Sequence, residues 1–364
     1  MNFSNETNLT DPQEQCQSPA NGLLSYACFI FSIHGYASLV ICCFGVPTNI
    51  VNIVILTRKN LRSPINCILA GIAIADVLTM LCYMPYCIHF YIIHGLARTK
   101  DKYTYGWVWY MAIHSGLSIT THTISIWLGV CMAIVRYIYI KSMGNNKSIM
   151  KVQNSVILVI IVYVCTVLCY LPVYIVYRVD NNNGSVQLNG LTNLGASDQT
   201  WLQKTAAGVF ILIGKVFPCV LICIFGGLLL RSLHESKKRT LTLKGAQCAN
   251  RLKQHKRTTV MLLAIIVMYI VTQMPSSILV VLCVCVENFM ENTYMLFAET
   301  LDLMSLINSS ANFCMYCAMS RQFRDCLFEI ACDNIQSKSS KMYHAVRSQS
   351  QTTAVTTHNH NVKL

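Results

Sequence analysis

Seven stretches of this chain are long, apolar and almost free of charge, and they limit its fold more than any other feature. Asp, Glu, Lys and Arg are absent from residues 15–57, whose densest apolar part is 35–56, and from 103–135, 152–177 and 258–286. Stretch 65–93 contains only Asp76, the region between Lys204 and Arg231 only Lys215, and 294–319 only Glu299 and Asp302 near its start. About 20 helical residues cross a hydrocarbon core of ~30 Å, and each stretch is that long. Strands of a β-barrel would be ~10 residues of alternating polarity, and the helices of a soluble globule keep a solvated face. Only 12% of the residues are charged, against about 25% in a soluble domain. The expected fold class is an all-α membrane protein, a seven-transmembrane helix bundle.

Lys and Arg in the connections set the orientation. One set of alternate connections, with the C-terminal tail, carries 22 of them, nine between Arg231 and Arg257; the other set carries five. Ten acidic residues lie with the five and four with the 22. The formal charge of +13 is therefore a basic cytoplasmic face opposite an acidic outer one, not a nucleic-acid footprint, and no nucleic acid partner is expected. The N-terminus is placed outside, in a multi-pass protein of the plasma membrane. The expected organisation is an extracellular glycosylated segment 1–34, the bundle 35–319, a short amphipathic interfacial helix 320–333 and a disordered cytoplasmic tail 334–364. Sequons at Asn2, Asn5, Asn8 and Asn183 fall on the outer side, where glycans are added. Residues 1–21 lack the pattern of a signal peptide, so the first span is expected to act as the insertion signal. Most of the 19 cysteines read as small packing residues. Cys16, Cys28, Cys283 and Cys285 are the outer candidates for a bridge, with connectivity open.

Polar groups inside such stretches are costly, and each is a candidate for function or for helix–helix bonding. Asn49 and Asn52 lie in the first, Asp76 in the second, Ser125 in the third, and Asn308, Ser309 and Asn312 in the seventh. These amides and hydroxyls are natural partners for Asp76, and together they can offer oxygen ligands to a small cation.

Several short motifs occur in order along these spans. They are Gly45-Val-Pro-Thr-Asn49, Ala75-Asp76, Arg136-Tyr137 closing the third span, Pro172, Pro218 and Pro275, and Asn312-Phe313-x-x-Tyr316. Over residues 30–335 the chain resembles a rhodopsin-like (class A) G-protein-coupled receptor. It departs from that pattern at Val135, beside Arg136, where an acidic residue is usual, and at Phe313 in place of proline. Met111 also stands where the common outer disulfide has a cysteine. The strings Thr120-Thr-His-Thr-Ile-Ser-Ile-Trp127, Gly214-Lys215-x-x-Pro218-Cys219, Thr272-Gln273-x-Pro275 and Met319-Ser-Arg-Gln-Phe-Arg324 resemble invertebrate FMRFamide and myosuppressin receptors. The resemblance implies an extracellular amidated peptide as ligand and a heterotrimeric G protein as partner. It implies Arg136, Tyr137 and Tyr316 at the coupling face, and no enzymatic activity.

The acidic outer face suits a cationic ligand. Glu299 and Asp302, three apart on a helix, share a face; with Ser118, His122, Lys215 and Gln273 they form the expected ligand site. Lys215 either pairs with Asp302 or Glu299 or goes unpaired and neutral. Asp76, Ser125, Asn308, Ser309 and Asn312 are the expected site for an allosteric sodium ion; no other cofactor or metal is expected. Bending at Pro275 is expected to swing the inner half of the sixth helix outward. Cys326 and Cys332 are candidate lipidation sites, and the Ser/Thr-rich tail is a substrate for receptor kinases that would recruit arrestin. The alternatives are a class A receptor for a small or chemosensory ligand, and a membrane transporter or channel. Against the latter, the sequence shows no internal repeat.

Overall fold

The computed structural model describes residues 22–96, 99–141, 151–182, 185–189, 201–240, 246–286, 289–330 and 332. Seven long helical segments dominate. Helix α1 is Gly22–Leu56, and α2 is Pro64–Cys87, extended by a π-helical turn Ile88–Ile93. Helix α3 is Tyr105–Lys141 and α4 is Val152–Val176. Helix α5 runs through Trp201–Gly208, a π-helical Val209–Val216 and Phe217–Thr240. Helix α6 is Ala246–Cys285, and α7 is Met295–Met319, entered by a π-helical Met290–Tyr294. Among the described residues, six of these are long and apolar enough to cross a membrane; α7 is not one of them. Its Glu299, Asp302 and polar run from Asn308 to Asn312 lower its apolarity and face inward instead.

The helices close a ring. Helix α1 packs on α2 and α7, α6 joins α7 to α5, and α3 runs through the middle against α2, α4, α5 and α6. Along α3 six buried side chains are polar beside eight apolar ones, whereas the outer faces are apolar. On α4, Ile157, Ile160, Ile161, Val164 and Leu168 are all more than half exposed. That inverts a soluble fold and suits a lipid surround, where the backbone must be satisfied within each helix.

Local chemistry fixes the ends and close approaches. Ser63 caps α2 by accepting from the Asn66 amide at 3.2 Å, with Pro64 at the first helical position. A π-helical stretch leaves carbonyls off the regular ladder, and neighbouring helices take those of α5. Trp127 Nε1 of α3 donates to the Ile213 carbonyl at 3.0 Å, and Ser277 Oγ of α6 to the Lys215 carbonyl at 3.4 Å. Gly71 of α2 lets α4 approach closely enough for the Tyr163 hydroxyl to reach its carbonyl at 2.8 Å. Between α4 and α5 an antiparallel hairpin, β1 (Arg178–Asn182) and β2 (Ser185–Asn189), packs on α3, an element the apolar pattern did not announce.

Helix α1 begins at Gly22, well inside the expected extracellular segment 1–34, because the uncharged pattern already starts at residue 15. Its first turns have partners: Tyr26 hydroxyl meets Thr300 Oγ1 at 2.7 Å, and Phe31 packs on Tyr91. Cys28 is disulfide-bonded, whereas Cys283 and Cys285 are free thiols, which removes those two from the expected bridge. A separate compact unit spans Ser320–Leu364. In it residues 321–330 form a helix capped by Ser320, whose Oγ accepts from the Phe323 amide at 3.2 Å. There Cys326 is buried and Cys332 exposed, so of the two lipidation candidates only Cys332 presents its thiol. Asn2, Asn5, Asn8, Asn183, Cys16 and the tail from 334 lie outside the described residues.

A methyl group at Gly35 of α1 would come within 2.6 Å of Tyr91 Cβ. Gly35→Ala is expected to push α1 away from the π turn of α2 at a cost of about 1–3 kcal/mol. A lowered thermal midpoint of the detergent-solubilised protein checks this.

Candidate functional site

Two polar layers and a cavity lie inside the ring. In the first layer Asp76 of α2 is 1% exposed, a burial that a carboxylate tolerates only with hydrogen bonds. Ser125 Oγ of α3 donates to Asp76 Oδ1 at 2.8 Å, and Asn312 Nδ2 of α7 to Asp76 Oδ2 at 3.2 Å. Asn49 Nδ2 of α1 donates to the Ser309 carbonyl at 2.9 Å. Asn308 and Ser309 are buried in the same region of α7. Four helices are thereby tied around one carboxylate, with Ser125 and Asn312 bonding it directly and Asn49 joining through the Ser309 carbonyl.

The second layer was not foreseen. His34 of α1 is fully buried. Its Nε2 lies 2.7 Å from the Tyr83 hydroxyl of α2 and 3.3 Å from Glu299 Oε2 of α7. Tyr91, on the π turn of α2, donates to both Glu299 oxygens, at 2.7 and 2.8 Å. Tyr83 in turn donates to Asp302 Oδ2 at 3.5 Å. With Tyr83 donating onward, the network assigns the proton of this bond to His34 Nε2. Glu299, expected in the ligand site or paired with Lys215, is thus engaged by His34 and Tyr91 in a three-helix clamp.

The cavity adjoins this clamp and has a volume of about 240 Å³. Asp302, Ser118, His122, Lys215 and Gln273 all line it, whereas Glu299 does not. At one wall His122 joins Gln273 Oε1 at 3.1 Å and Ser305 Oγ at 3.1 Å, linking α3, α6 and α7. Another wall is aromatic: Tyr86 stacks on His114 with ring centres 4.2 Å apart and an 18° tilt. The π-helical stretch of α5 turns Lys215 inward. Sequence reasoning missed His34, Tyr83, Tyr86, Tyr91 and His114. Aromatic residues and histidines in an apolar span read as core, and only their convergence marks them as a site.

Further along the bundle, Arg136 is buried, its guanidinium 5.2 Å from the Tyr139 ring centre. Tyr137 meets Phe225 of α5 edge-on at 6.2 Å, and Tyr316 of α7 is buried. In this conformation the Arg136 side chain is not presented to a partner. The side chains of Glu287 and Glu291 lie outside the described residues.

The clamp and the cavity separate two acidic residues that share a helix face. Glu299→Gln leaves Tyr91 and His34 with a neutral partner, and is expected to cost about 1–3 kcal/mol of stability. Asp302→Asn, which loses only one long contact, is expected to leave the thermal midpoint nearly unchanged. Melting both variants in detergent alongside the parent checks the contrast.

Comparison with known proteins agrees with this architecture. The chain is 28% identical over 344 residues to the G-protein coupled receptor dmsr-1 of Caenorhabditis elegans, covering 82% of this chain and 68% of that protein. It is 26% identical over 322 residues to sex peptide receptor-related protein 2 of the same species, covering 80% and 70%. To the sex peptide receptor of Drosophila melanogaster it is 22% identical over 340 residues, covering 89% and 76%. Residues 36–334 match the family described as serpentine type 7TM GPCR chemoreceptor Srw. That match takes in α2 to α7 and α1 from residue 36 onward, and the chain belongs to this family of G-protein-coupled receptors, which are membrane proteins and not enzymes.

Proposed function

We propose that this receptor sits in the plasma membrane with its N-terminus outside and seven helices spanning the bilayer. In this reading it answers an extracellular amidated peptide of the FMRFamide or myosuppressin kind. The observation that carries the reading is the cavity between α3, α5, α6 and α7, with a carboxylate, Asp302, open to it beside an aromatic wall. An arginine entering the cavity finds in Asp302 a charged acceptor for a bidentate pair, and the following aromatic residue finds Tyr86 and His114. Two relatives whose names refer to sex peptide receptors support a peptide over other messengers. A volume of about 240 Å³ is at the small end for ligand pockets, ~300–1,000 Å³. It admits the end of a peptide, with the rest lying across the acidic outer face.

Signalling follows from a two-state bundle. Ligand contact with Gln273 through His122, and with the wall of α6, biases the helix at Pro275, inside α6. Outward movement of the far half of α6 uncovers Arg136, Tyr137 and Tyr316 for a heterotrimeric G protein, which then releases its nucleotide. Arrestin and receptor kinases act on the tail from 334. The donors around Asp76 fit a sodium ion: Asp76, Ser125, Asn308, Ser309 and Asn312 bring a buried carboxylate with hydroxyl and amide oxygens. A bound sodium would neutralise Asp76 in the resting state.

The small cavity also favours a second reading, a small chemosensory ligand, consistent with the description of the family. A transducer-recruitment assay in cells, challenged with amidated peptides and with small amines and odorants, separates the two. Asp302→Asn is expected to lower potency for an arginine-containing peptide about 10- to 100-fold, the loss of one desolvated charge pair. Unchanged potency removes Asp302 from the site. In the same assay Asp76→Asn is expected to abolish the effect of sodium on agonist affinity; an unchanged salt response removes the ion.

A further inference from the structure

The cavity carries two opposite charges that do not meet. Asp302 lies on α7 and Lys215 on α5; both line the cavity and attract one another across it. Yet the direct contact of Asp302 is the Tyr83 hydroxyl at 3.5 Å, and the Lys215 ammonium rests 5.9 Å from the Phe210 ring centre. Among the described residues, the ammonium of Lys215 finds no hydrogen-bond acceptor, and the close His–carboxylate contact next to the cavity is the one between His34 and Glu299 at 3.3 Å. Apart from the Phe210 ring, a lysine so placed has no close partner among the described residues, and its place in the cavity suits a ligand atom.

The backbone that presents it is fixed. The carbonyls of Ile213 and Lys215 are taken by Trp127 of α3 and Ser277 of α6, so the π-helical stretch is pinned from both sides. Ser276, Thr272 and Gln273 of α6 line the cavity as well, supplying oxygens that can accept from an N–H near the ammonium. The Tyr86–His114 stack lines the same cavity. The cavity is thus bipolar, with a donor pole at α5, an acceptor pole at α7 and an aromatic wall besides.

We infer that Lys215 is a second recognition point of this cavity, donating to the carbonyl oxygen of a ligand's terminal carboxamide while Asp302 holds the ligand's cation. The inference rests on the peptide-receptor reading and adds to it. It specifies a segment with a cation and a carboxamide within one or two residues, and it names what excludes simple amines. A lone cation brought to Asp302 meets an uncompensated ammonium, a repulsive element of the kind that gives specificity by rejecting the wrong ligand. A cation linked to a carbonyl satisfies both poles.

The test is a double-mutant cycle in the full-length receptor expressed in cells, read as G-protein activation and normalised to surface expression. The ligands are the tetrapeptide FMRFamide and its analogue ending in 2-phenylethylamine, which keeps the arginine and the ring but lacks the terminal carboxamide. On the parent receptor, removal of the carboxamide is expected to lower potency about 10- to 100-fold. Lys215→Met is expected to lower the potency of FMRFamide by a similar factor and that of the analogue less than about threefold, the signature of a coupled pair. Lys215→Arg, which keeps the charge, is expected to restore most of the loss; Lys215→Gln serves in place of Lys215→Met should the latter fail to reach the surface. Equal losses for both ligands mean a merely structural lysine and overturn the inference. Asp302→Asn is expected to weaken both ligands alike, because both keep the arginine. A parent receptor silent to both peptides but responsive to small amines overturns the peptide reading itself, and this inference with it.

Discussion

Hydrocarbon offers no partner to a polar group, and every feature of this receptor answers to that constraint. Backbone groups are satisfied by coiling into helices, and polar side chains by turning toward one another inside the ring. Asp76 is the plainest case. Left alone in an apolar medium its carboxylate would be untenable, but Ser125, Asn312 and the Asn49–Ser309 link bring four helices around it. The same groups that make the carboxylate tolerable hold α1, α2, α3 and α7 in register. The network that satisfies the carboxylate and the one that ties these helices are one set of hydrogen bonds.

The half of the bundle around the cavity solves the same problem with aromatic hydroxyls. Tyr83 and Tyr91 each present an apolar ring to their surroundings and a hydroxyl to a carboxylate, so they satisfy Glu299 and Asp302 without adding charge. His34 completes the arrangement from α1. The clamp engages Glu299 fully and Asp302 barely, and this inequality leaves one carboxylate open to the cavity. Two acidic residues three apart on one helix thus have different duties, set by whether a tyrosine hydroxyl reaches them at 2.7 or at 3.5 Å.

Irregular backbone appears where it has a use. The π-helical stretches in α2, α5 and α7 all lie toward the half of the bundle that holds the cavity. In α5 the change of helical phase turns Lys215 toward the cavity, and Trp127 and Ser277 satisfy two carbonyls along it. In α2 it carries Tyr91 to Glu299. Helices of uniform pitch would have sent these side chains elsewhere, so the chemistry of the cavity and the clamp depends on departures from ideal geometry.

Charge-free length, the bias of Lys and Arg among the connections and the ordered motifs were enough to specify a bundle of long helices and a receptor family, because those signals are one-dimensional. Asp76 and its partners were legible too, since a polar residue in an apolar run stands out singly. The clamp was not: His34 and Glu299 are 265 positions apart, and nothing in either neighbourhood announces the other. Nor was the hairpin after α4 or the phase shift in α5, each decided by packing against elements distant in the chain. Which of two neighbouring carboxylates opens on the cavity is a matter of where a tyrosine from another helix ends up, and only the folded ring supplies that answer.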